Sequence, residues 1–146
     1  MKIAIITDQH FGARKSSRIF HDFFKKFYRN VFFPTLKKRG ITTVLDLGDT
    51  FDNRRNLDIW AAQWATHNYF DVLKDMGVEV HALVGNHTAY FKNTNLVNTL
   101  VTTVGEYDNV TIYTKATEVK IGGLPILFIP WILSLIHISE PTRQSL

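Results

Sequence analysis

Three short polar segments of the 146-residue chain carry side chains that can bind metal ions. They are Asp8-Gln9-His10, Gly48-Asp49 and Gly85-Asn86-His87. Carboxylate, imidazole and amide groups together suit Mn, Fe or Zn, and suit Mg or Ca less well. The chain contains no cysteine, so disulfides and thiolate ligands are excluded. We interpret the three segments as parts of one candidate metal site.

The side chains of these segments can be divided between two ions. If the backbone is extended at Asp8 and His10, both side chains point the same way and can hold one ion. The two carboxylate oxygens of Asp49 can bridge that ion to a second, to which Asn86 would supply an amide oxygen. Two ions about 3.5–4 Å apart form a clamp for phosphoester hydrolysis. His87 is then left to act as an acid or to stabilise charge.

Each polar segment follows a short apolar run that is typical of a buried strand. The three runs cover residues 2–7, 41–47 and 78–84. Amphipathic helices are predicted between them, at residues 16–39 with a bend near Pro34 and an end at Gly40, and at residues 57–76 with an end at Gly77. This order predicts a βαβαβ unit with a mainly parallel sheet. Ligands bind at the carboxyl ends of such strands, so the three segments should meet there.

An apolar stripe runs along the first predicted helix, and we expect it to pack in the core. Its members are Phe20, Phe23, Phe24, Phe27, Val31 and Leu36. His21, His67 and His81 fall on predicted helices or within a strand, where packing or surface exposure is the ordinary explanation. Asp46 lies inside a strand-like run, and the pattern indicates no function for it.

The second half of the chain has a different pattern. Residues 95–104 are predicted to form a short helix, and residues 110–113 a strand. Residues 118–121 and 125–129 are predicted to form a hairpin turned on Gly122-Gly123. From the strand at residue 110 onward we expect antiparallel neighbours. The predicted fold class is α/β, with a parallel unit followed by antiparallel strands.

The C-terminal residues raise two separate questions. Residues 121–138 are nearly uncharged, but glycines and prolines within them oppose a continuous membrane-spanning helix, so no membrane partner is expected. Residues 133–146 look like a translated sequencing-library adapter. We therefore expect the natural domain to cover residues 1–132 and exclude the remainder from fold reasoning. The N terminus lacks the pattern of a signal peptide, which favours the cytoplasm.

The net charge of +4 favours a polyanionic partner only weakly. Five basic side chains nevertheless follow the first two polar segments. They are Arg14, Lys15, Arg18, Arg54 and Arg55. Phosphate contacts with DNA and ordinary solvated loop charges explain them about equally well.

Taken together, the segments resemble the calcineurin-like metallophosphoesterase superfamily, whose motifs include D-x-H, G-D-x-x-D and G-N-H-D or G-N-H-E. The similarity covers residues 1–132 and looks most like the phage recombination nucleases related to double-strand-break repair exonucleases. It implies that the chain is the N-terminal part of a four-layer α-β-β-α sandwich. It also implies that Asp8, His10, Asp49 and Asn86 bind two divalent ions and that His87 is the catalytic histidine.

The resemblance further implies Mn as the preferred ion, with Mg, Fe or Zn as alternatives. DNA and a coiled-coil repair ATPase subunit are the implied partners, and a homodimer is left open. Asp52 is interpreted as a residue that supports the ligands or shapes a turn, since one carboxylate is enough for a bridge. Recombination or repair of DNA is the implied role.

Two departures from the family pattern affect these expectations. Thr88 replaces the acidic residue that usually holds the catalytic histidine, and a hydroxyl adds no negative charge to stabilise an imidazolium. The family's later Gly-His and Gly-His-x-His motifs do not occur in these 146 residues. We therefore expect no robust nuclease activity from this chain by itself.

Two alternatives to a DNA nuclease stay open at this point. The first is another phosphoesterase of the same fold, acting on nucleotides or phosphoproteins. The second is a non-catalytic protein that keeps the fold to bind a partner, for which Thr88 is the hint. Salt-sensitive DNA binding would separate the nuclease from a small-phosphoester enzyme.

Overall fold

The computed structural model describes residues 1–53, 55–86, 89–91, 94–131 and 142–144. The elements follow in chain order. They are β1 (Ala4–Ile6), α1 (Ala13–Ser16), α2 (Arg18–Phe27), a π-helical segment (Tyr28–Phe32), α3 (Phe33–Arg39), β2 (Thr43–Asp46), α4 (Ile59–Ala65), a second π-helical segment (Thr66–Phe70), α5 (Asp71–Asp75), β3 (Glu79–Leu83), β4 (Ala89–Phe91), β5 (Thr94–Asn98), α6 (Thr99–Val104), β6 (Val110–Tyr113), β7 (Thr117–Ile121), β8 (Leu124–Phe128) and β9 (Thr142–Gln144).

A four-stranded parallel sheet in the order β1-β2-β3-β6 forms the centre of the fold. The predicted βαβαβ unit is confirmed, with β1, β2 and β3 as its strands. The expectation of antiparallel pairing from residue 110 onward is wrong, because β6 extends the sheet in parallel beside β3. The Asn109 side chain donates to the Val78 carbonyl at 2.9 Å and fixes the start of that pairing. Antiparallel pairing in this part of the chain begins at β7 and β8, which form the predicted hairpin.

The first predicted helix is α2, the first π-helical segment and α3 in direct succession. Pro34 lies at the start of α3, directly after the segment where the helix widens to π geometry. Proline has no N–H to donate, so a departure from regular α-helical bonding just before it is expected. Gly40 ends the helix in the left-handed region, at φ 62°. This bend and this end agree with the prediction.

Only part of the apolar stripe on this helix enters the core. Leu36 is buried and Phe24 packs against the core, whereas Phe23 is 64 % exposed and Phe20, Phe27 and Val31 are exposed as well. Core packing for these four residues is therefore a wrong prediction. The spacing identified the helix correctly. Its buried face, however, consists of Tyr28, Phe32 and Phe33, which the prediction did not include. These aromatic residues fill the volume next to the sheet.

The main core lies between the helices and the parallel sheet. Phe11 is its centre, with aromatic contacts to Phe51, Trp64 and Tyr69 at ring-centroid distances of 5.6–5.9 Å. A second cluster, built on Leu45, Tyr113 and Phe128 among others, lies on the opposite face of the sheet under the β7–β8 hairpin. Each face of the sheet is thus covered by apolar side chains, as parallel strands require.

The predicted helix at residues 95–104 is half correct. Residues 94–98 form β5 and pair with β4, and the helix begins only at Thr99. Asn98 is its N-cap, since its side-chain oxygen accepts from the Val101 amide at 2.9 Å. At the other end of the chain, β9 pairs in parallel with β7. None of the helices in the described part of the chain has the length and apolar character needed to cross a membrane.

Candidate metal centre

The carboxyl ends of β1, β2 and β3 carry three loops that surround one cleft. We name them the first loop (residues 7–12), the second loop (residues 47–53) and the third loop, of which the structure describes residues 84–86. The cleft has a volume of about 470 Å³ and is lined by all three loops and by residues 129–131. Asp8, Asp49 and Asn86 are among the lining residues. The edge of the sheet predicted to hold the ligands is therefore an open cleft.

Three of the predicted metal ligands converge. Asp8, His10 and Asp49 each offer one ligand atom, and these atoms lie within 4.8 Å of one another. His10 Nε2 is 3.6 Å from Asp8 Oδ1. Two carboxylates and an imidazole at the mouth of a cleft form a donor set suited to a divalent transition-metal ion. The residues present therefore fit such an ion.

Asp52 lies beside the histidine of this group. Its Oδ1 is 3.0 Å from His10 Nδ1, while His10 Nε2 faces Asp8. A carboxylate on one ring nitrogen fixes the orientation of the imidazole and makes the other nitrogen a better ligand. Asp52 is thus next to a proposed ligand, and its role in supporting the ligands stays a prediction.

The backbone of the first loop differs from the extended form on which the ligand argument rested. Asp8 and His10 have φ of 54° and 50°, in the left-handed region, and Asp49 in the second loop has φ 52°. Side chains at positions 8 and 10 therefore converge because both residues adopt the same left-handed conformation, not because the chain is extended. Non-glycine residues are uncommon in this region, and such residues concentrate at functional sites.

Backbone hydrogen bonds hold the first and second loops side by side. The amides of Asp8, His10 and Phe11 donate to the carbonyls of Gly48, Asp49 and Thr50 at 2.8–3.0 Å. The Asp52 amide returns a bond to the Phe11 carbonyl at 3.0 Å. The pairing of β1 with β2 thus continues past the ends of both strands. As a result, backbone bonds set the position of the first loop relative to the second.

Beneath this pairing lies a buried polar network centred on Asp46, a residue for which the sequence indicated no function. Its carboxylate accepts from the Gln9 side-chain amide at 2.6 Å, from the Thr50 hydroxyl at 3.0 Å and from the Gly48 backbone amide. The Tyr28 hydroxyl donates to Gln9 Oε1. Asp46 is fully buried, and this burial raises the pKa of its carboxyl to about 7. An acidic residue within an otherwise apolar strand was the sequence signal for this network.

The third loop approaches the second through a glycine. A Cβ atom added to Gly85 would lie 2.6 Å from the Asp49 backbone nitrogen and would overlap the Asp49 carboxylate. Asn86, which follows, is exposed and lines the cleft. His87 and Thr88 lie outside the described residues, so their predicted roles stay predictions. Glycine at position 85 is explained by this close approach, because its φ is not in the left-handed region.

Two apolar residues that the sequence reading did not single out form another wall of the cleft. Ile129 and Trp131 line it, and Trp131 is 49 % exposed. The Trp131 amide donates to the Val84 carbonyl at 2.9 Å, which holds this segment against the end of β3. The cleft is therefore lined both by candidate ligand side chains and by a half-exposed aromatic residue.

The basic residues proposed as phosphate contacts have different surroundings. The Arg14 guanidinium lies 5.0 Å from the centre of the Phe20 ring, and the Arg18 guanidinium 5.6 Å from that of Trp60. Lys15 and Arg55 are on the surface, and Arg54 lies outside the described residues. Arg14 and Arg18 thus have aromatic neighbours that explain their positions without a phosphate.

The histidines outside the three segments follow the expectation of packing or surface exposure. His21 is buried, and its Nε2 accepts from the Gly12 amide at 3.0 Å. His81 is buried with its Nδ1 2.6 Å from the Tyr113 hydroxyl, and burial lowers its pKa. His67 is exposed. Of these three, His21 contributes indirectly to the centre because it fixes the backbone just after His10.

A parallel sheet whose strand ends bring Asp8, His10 and Asp49 together is the arrangement expected of a metallophosphoesterase. The family model for calcineurin-like phosphoesterases matches residues 1–141, and the chain belongs to this family. Members of the family use divalent metal ions, in agreement with the donor set described above.

A curated relative gives a more specific comparison. The chain is 37 % identical over 95 residues to exonuclease subunit 1 of Enterobacteria phage T4. The match covers 65 % of this chain and 28 % of that protein, so the chain spans less than a third of the relative's length. The predicted relationship to phage nucleases is confirmed at this level.

Proposed function

We propose that this chain is the N-terminal part of a metal-dependent nuclease that hydrolyses phosphodiester bonds in DNA with two divalent ions. The observation that carries the proposal is the convergence of Asp8, His10 and Asp49 at the ends of adjacent parallel strands. Membership of the phosphoesterase family and the similarity to a phage exonuclease subunit support it.

The ligand roles follow from the placement of the loops. Asp8 and His10 would hold one ion, Asp49 would bridge it to a second, and Asn86, which lines the same cleft, would complete the second site. Such ions neutralise phosphate charge and activate water for in-line displacement. Asp52 would keep the His10 ring oriented with Nε2 toward the ions. His87 is the proposed proton donor to the leaving oxygen.

The residues that line the cleft support the proposal that the substrate is a polynucleotide. Beside the proposed ligands, which would engage the scissile phosphate, Ile129 and Trp131 present an apolar wall. An exposed tryptophan can stack on a nucleobase, and stacking tolerates any base because every base has a flat π face. Lys15, Arg54 and Arg55 are proposed contacts to neighbouring phosphates, whereas Arg14 and Arg18 already lie over aromatic rings.

The partners and the location of the protein are proposed from the comparison with its relative. The relative is described as a subunit, which supports an assembly with at least one other chain. By the family resemblance, we propose a coiled-coil repair ATPase as that partner and Mn as the working ion. A phage origin like that of the relative would place the protein in the host cytoplasm.

Cleavage of DNA by the full-length protein, which extends this chain with its natural continuation, tests the proposal. We expect Mn²⁺-dependent cleavage, with activity lost in Asp49→Ala because the proposed bridge is removed. Asp75→Ala is the matched control, since Asp75 is an exposed carboxylate at the end of α5, and it should retain full activity.

Other results would favour the alternative functions. Hydrolysis of a small phosphoester without salt-sensitive DNA binding would favour a nucleotide or phosphoprotein phosphatase. Absence of cleavage, even after Thr88→Asp supplies the usual acidic residue, would favour a non-catalytic role. Equal activity in Asp49→Ala and the wild type would reject the proposed centre itself.

A further inference from the structure

The buried polar network under the first two loops has features that packing alone does not explain. Its central carboxylate is fully buried in β2, where an apolar residue would be the ordinary choice. Asp46 faces the helices on the same side as Val44, because side chains alternate along a strand. Burying a charged or polar group in this position costs free energy unless hydrogen bonds satisfy it.

Two different helices direct a tyrosine at this network from π-helical segments. Tyr28 begins the first π-helical segment, and Tyr69 lies in the second. Both are buried, their rings lie 5.2 Å apart between centroids, and burial beside the Asp46 carboxylate raises the pKa of each hydroxyl. Wide helical turns of this kind are rare and are frequent at functional sites. Their coincidence at one network is an observation independent of the hydrogen bonds.

Gln9 is the connection between the network and the proposed ligands. It lies between Asp8 and His10 in the chain, but its side chain points inward. Its amide nitrogen donates to Asp46, and its amide oxygen accepts from Tyr28. Thr50, which follows Asp49, donates to the other oxygen of the same carboxylate. One buried carboxylate therefore holds a chain neighbour of the proposed ligands in the first loop and in the second loop.

We propose that Gln9 and Asp46, supported by Tyr28, are positioning residues that set the separation and direction of Asp8, His10 and Asp49 for metal binding. This inference rests on the proposed metal centre. Neither residue touches the ion or the substrate. They act by fixing the two left-handed loops, whose conformations would otherwise relax toward more favourable backbone regions.

The test compares Mn²⁺ affinity in three variants of the full-length protein, measured by titration calorimetry and electron paramagnetic resonance. Gln9→Leu removes the link and should weaken Mn²⁺ binding about 10- to 100-fold. Asp46→Asn can keep the link, because the introduced side-chain amide can donate to a turned Gln9 amide, and should bind within about threefold of wild type by the same principle. Tyr113→Phe deletes a buried hydrogen bond to His81 on the face of the sheet opposite Asp46 and is the control, with unchanged affinity expected.

Hydrogen exchange gives a readout that does not depend on metal. In metal-free protein, Gln9→Leu should accelerate exchange at the His10 and Phe11 amides, which bond to the second loop, and Tyr113→Phe should not. If Gln9→Leu does not fold, Tyr28→Phe tests the same link with a smaller change and should shift both readouts in the same direction.

Two outcomes would overturn the positioning role: wild-type affinity in folded Gln9→Leu or Tyr28→Phe, or an equal loss of affinity in Tyr113→Phe. If wild-type protein itself binds no Mn²⁺, the proposed function fails. Exchange at His10 and Phe11 then still decides whether the network fixes the loops.

Discussion

The first two loops and the third loop are brought to the cleft by different physical means. Backbone bonds and a shared buried carboxylate join the first and second loops, so their relative direction is specified by hydrogen bonding. The third loop meets the second at Gly85, where the absence of a side chain permits close approach. Hydrogen bonds thus set how the first and second loops are oriented, whereas the missing Cβ of Gly85 sets how closely the third loop approaches the second. The two kinds of joint should respond differently to mutation.

The largest expected effect concerns the glycine contact. Gly85→Ala would force the new Cβ against the Asp49 backbone and carboxylate, displacing the proposed bridging ligand. A misplacement of about 1 Å can cost 100-fold in rate, so we expect a loss of at least about 100-fold in kcat/KM for the full-length protein. DNA cleavage and thermal unfolding measured on the same samples check this.

Gly40→Ala is the control for that substitution. Nothing lies within 4 Å of an added Cβ at Gly40, but its φ of +62° disfavours a side chain. We expect a loss of about 1 kcal/mol of stability with unchanged activity. A fully active Gly85→Ala enzyme would mean that the third loop can move away without harm.

The next effect concerns the orientation of His10. Asp52→Ala removes the carboxylate next to His10 Nδ1 and should reduce Mn²⁺ affinity about 10- to 100-fold. Asp52→Asn keeps an oxygen acceptor and should lose less. Equal losses in the two variants would show that the negative charge of Asp52, and not merely an oxygen atom beside Nδ1, is what supports the ring. Calorimetric titration with Mn²⁺ distinguishes these results.

Asp46 should make stability depend on pH. Burial raises its pKa in the folded protein to about 7 from the ordinary 3.8, so between these values the folded state holds a proton that the unfolded state has released. Its favourable contribution is complete below pH 3.8 and is lost as pH rises to about 7, at up to about 1.4 kcal/mol per pH unit.

Denaturant unfolding from about pH 4 to about pH 8 checks this linkage. Asp46→Asn cannot titrate, so the wild type should lose stability relative to the variant as pH rises, and the difference should level off above about pH 7. A difference that stays constant across the range would show that the carboxyl is ionised throughout.

The smallest effect is expected at Thr50. Thr50→Val keeps the shape of the side chain but removes its hydrogen bond to Asp46, which should cost about 1 kcal/mol of unfolding free energy. Thr117→Val, which removes a hydroxyl bond to the Lys115 carbonyl in the β7–β8 hairpin region, is the control. The variants should differ in amide exchange at Phe11, with faster exchange in Thr50→Val alone. The same exchange rate in both variants would show that the Thr50 hydroxyl does not help to hold the first loop against the second.

Local patterns explain which parts of the molecule could be predicted. Strand ends, helix ends at Gly40 and Gly77, and the Gly122-Gly123 turn follow from short-range rules and agree with the structure. The meeting of the first and second loops follows from the topology of parallel strands. These predictions needed only residue types over spans of a few positions and one general property of α/β folds.

Features that depend on distant partners could not be predicted in the same way. The bond between Gln9 and Asp46 joins residues 37 positions apart in the chain. Phe23 is exposed because other aromatic residues of the same helix occupy the core. The parallel placement of β6 likewise depends on its contacts with β3. Hydrophobic periodicity gives the existence of an element, but not which of two apolar faces is buried.

The left-handed residues of the first two loops point to a compromise between stability and activity. Asp8, His10 and Asp49 occupy backbone conformations that cost L-residues about 1 kcal/mol or more each, and that glycine adopts freely. A chain selected for thermal stability alone would favour glycine or asparagine at these positions. Screens for stabilised variants should therefore recover substitutions at these positions, and those variants should be more stable but should no longer bind the metal ions or cleave DNA.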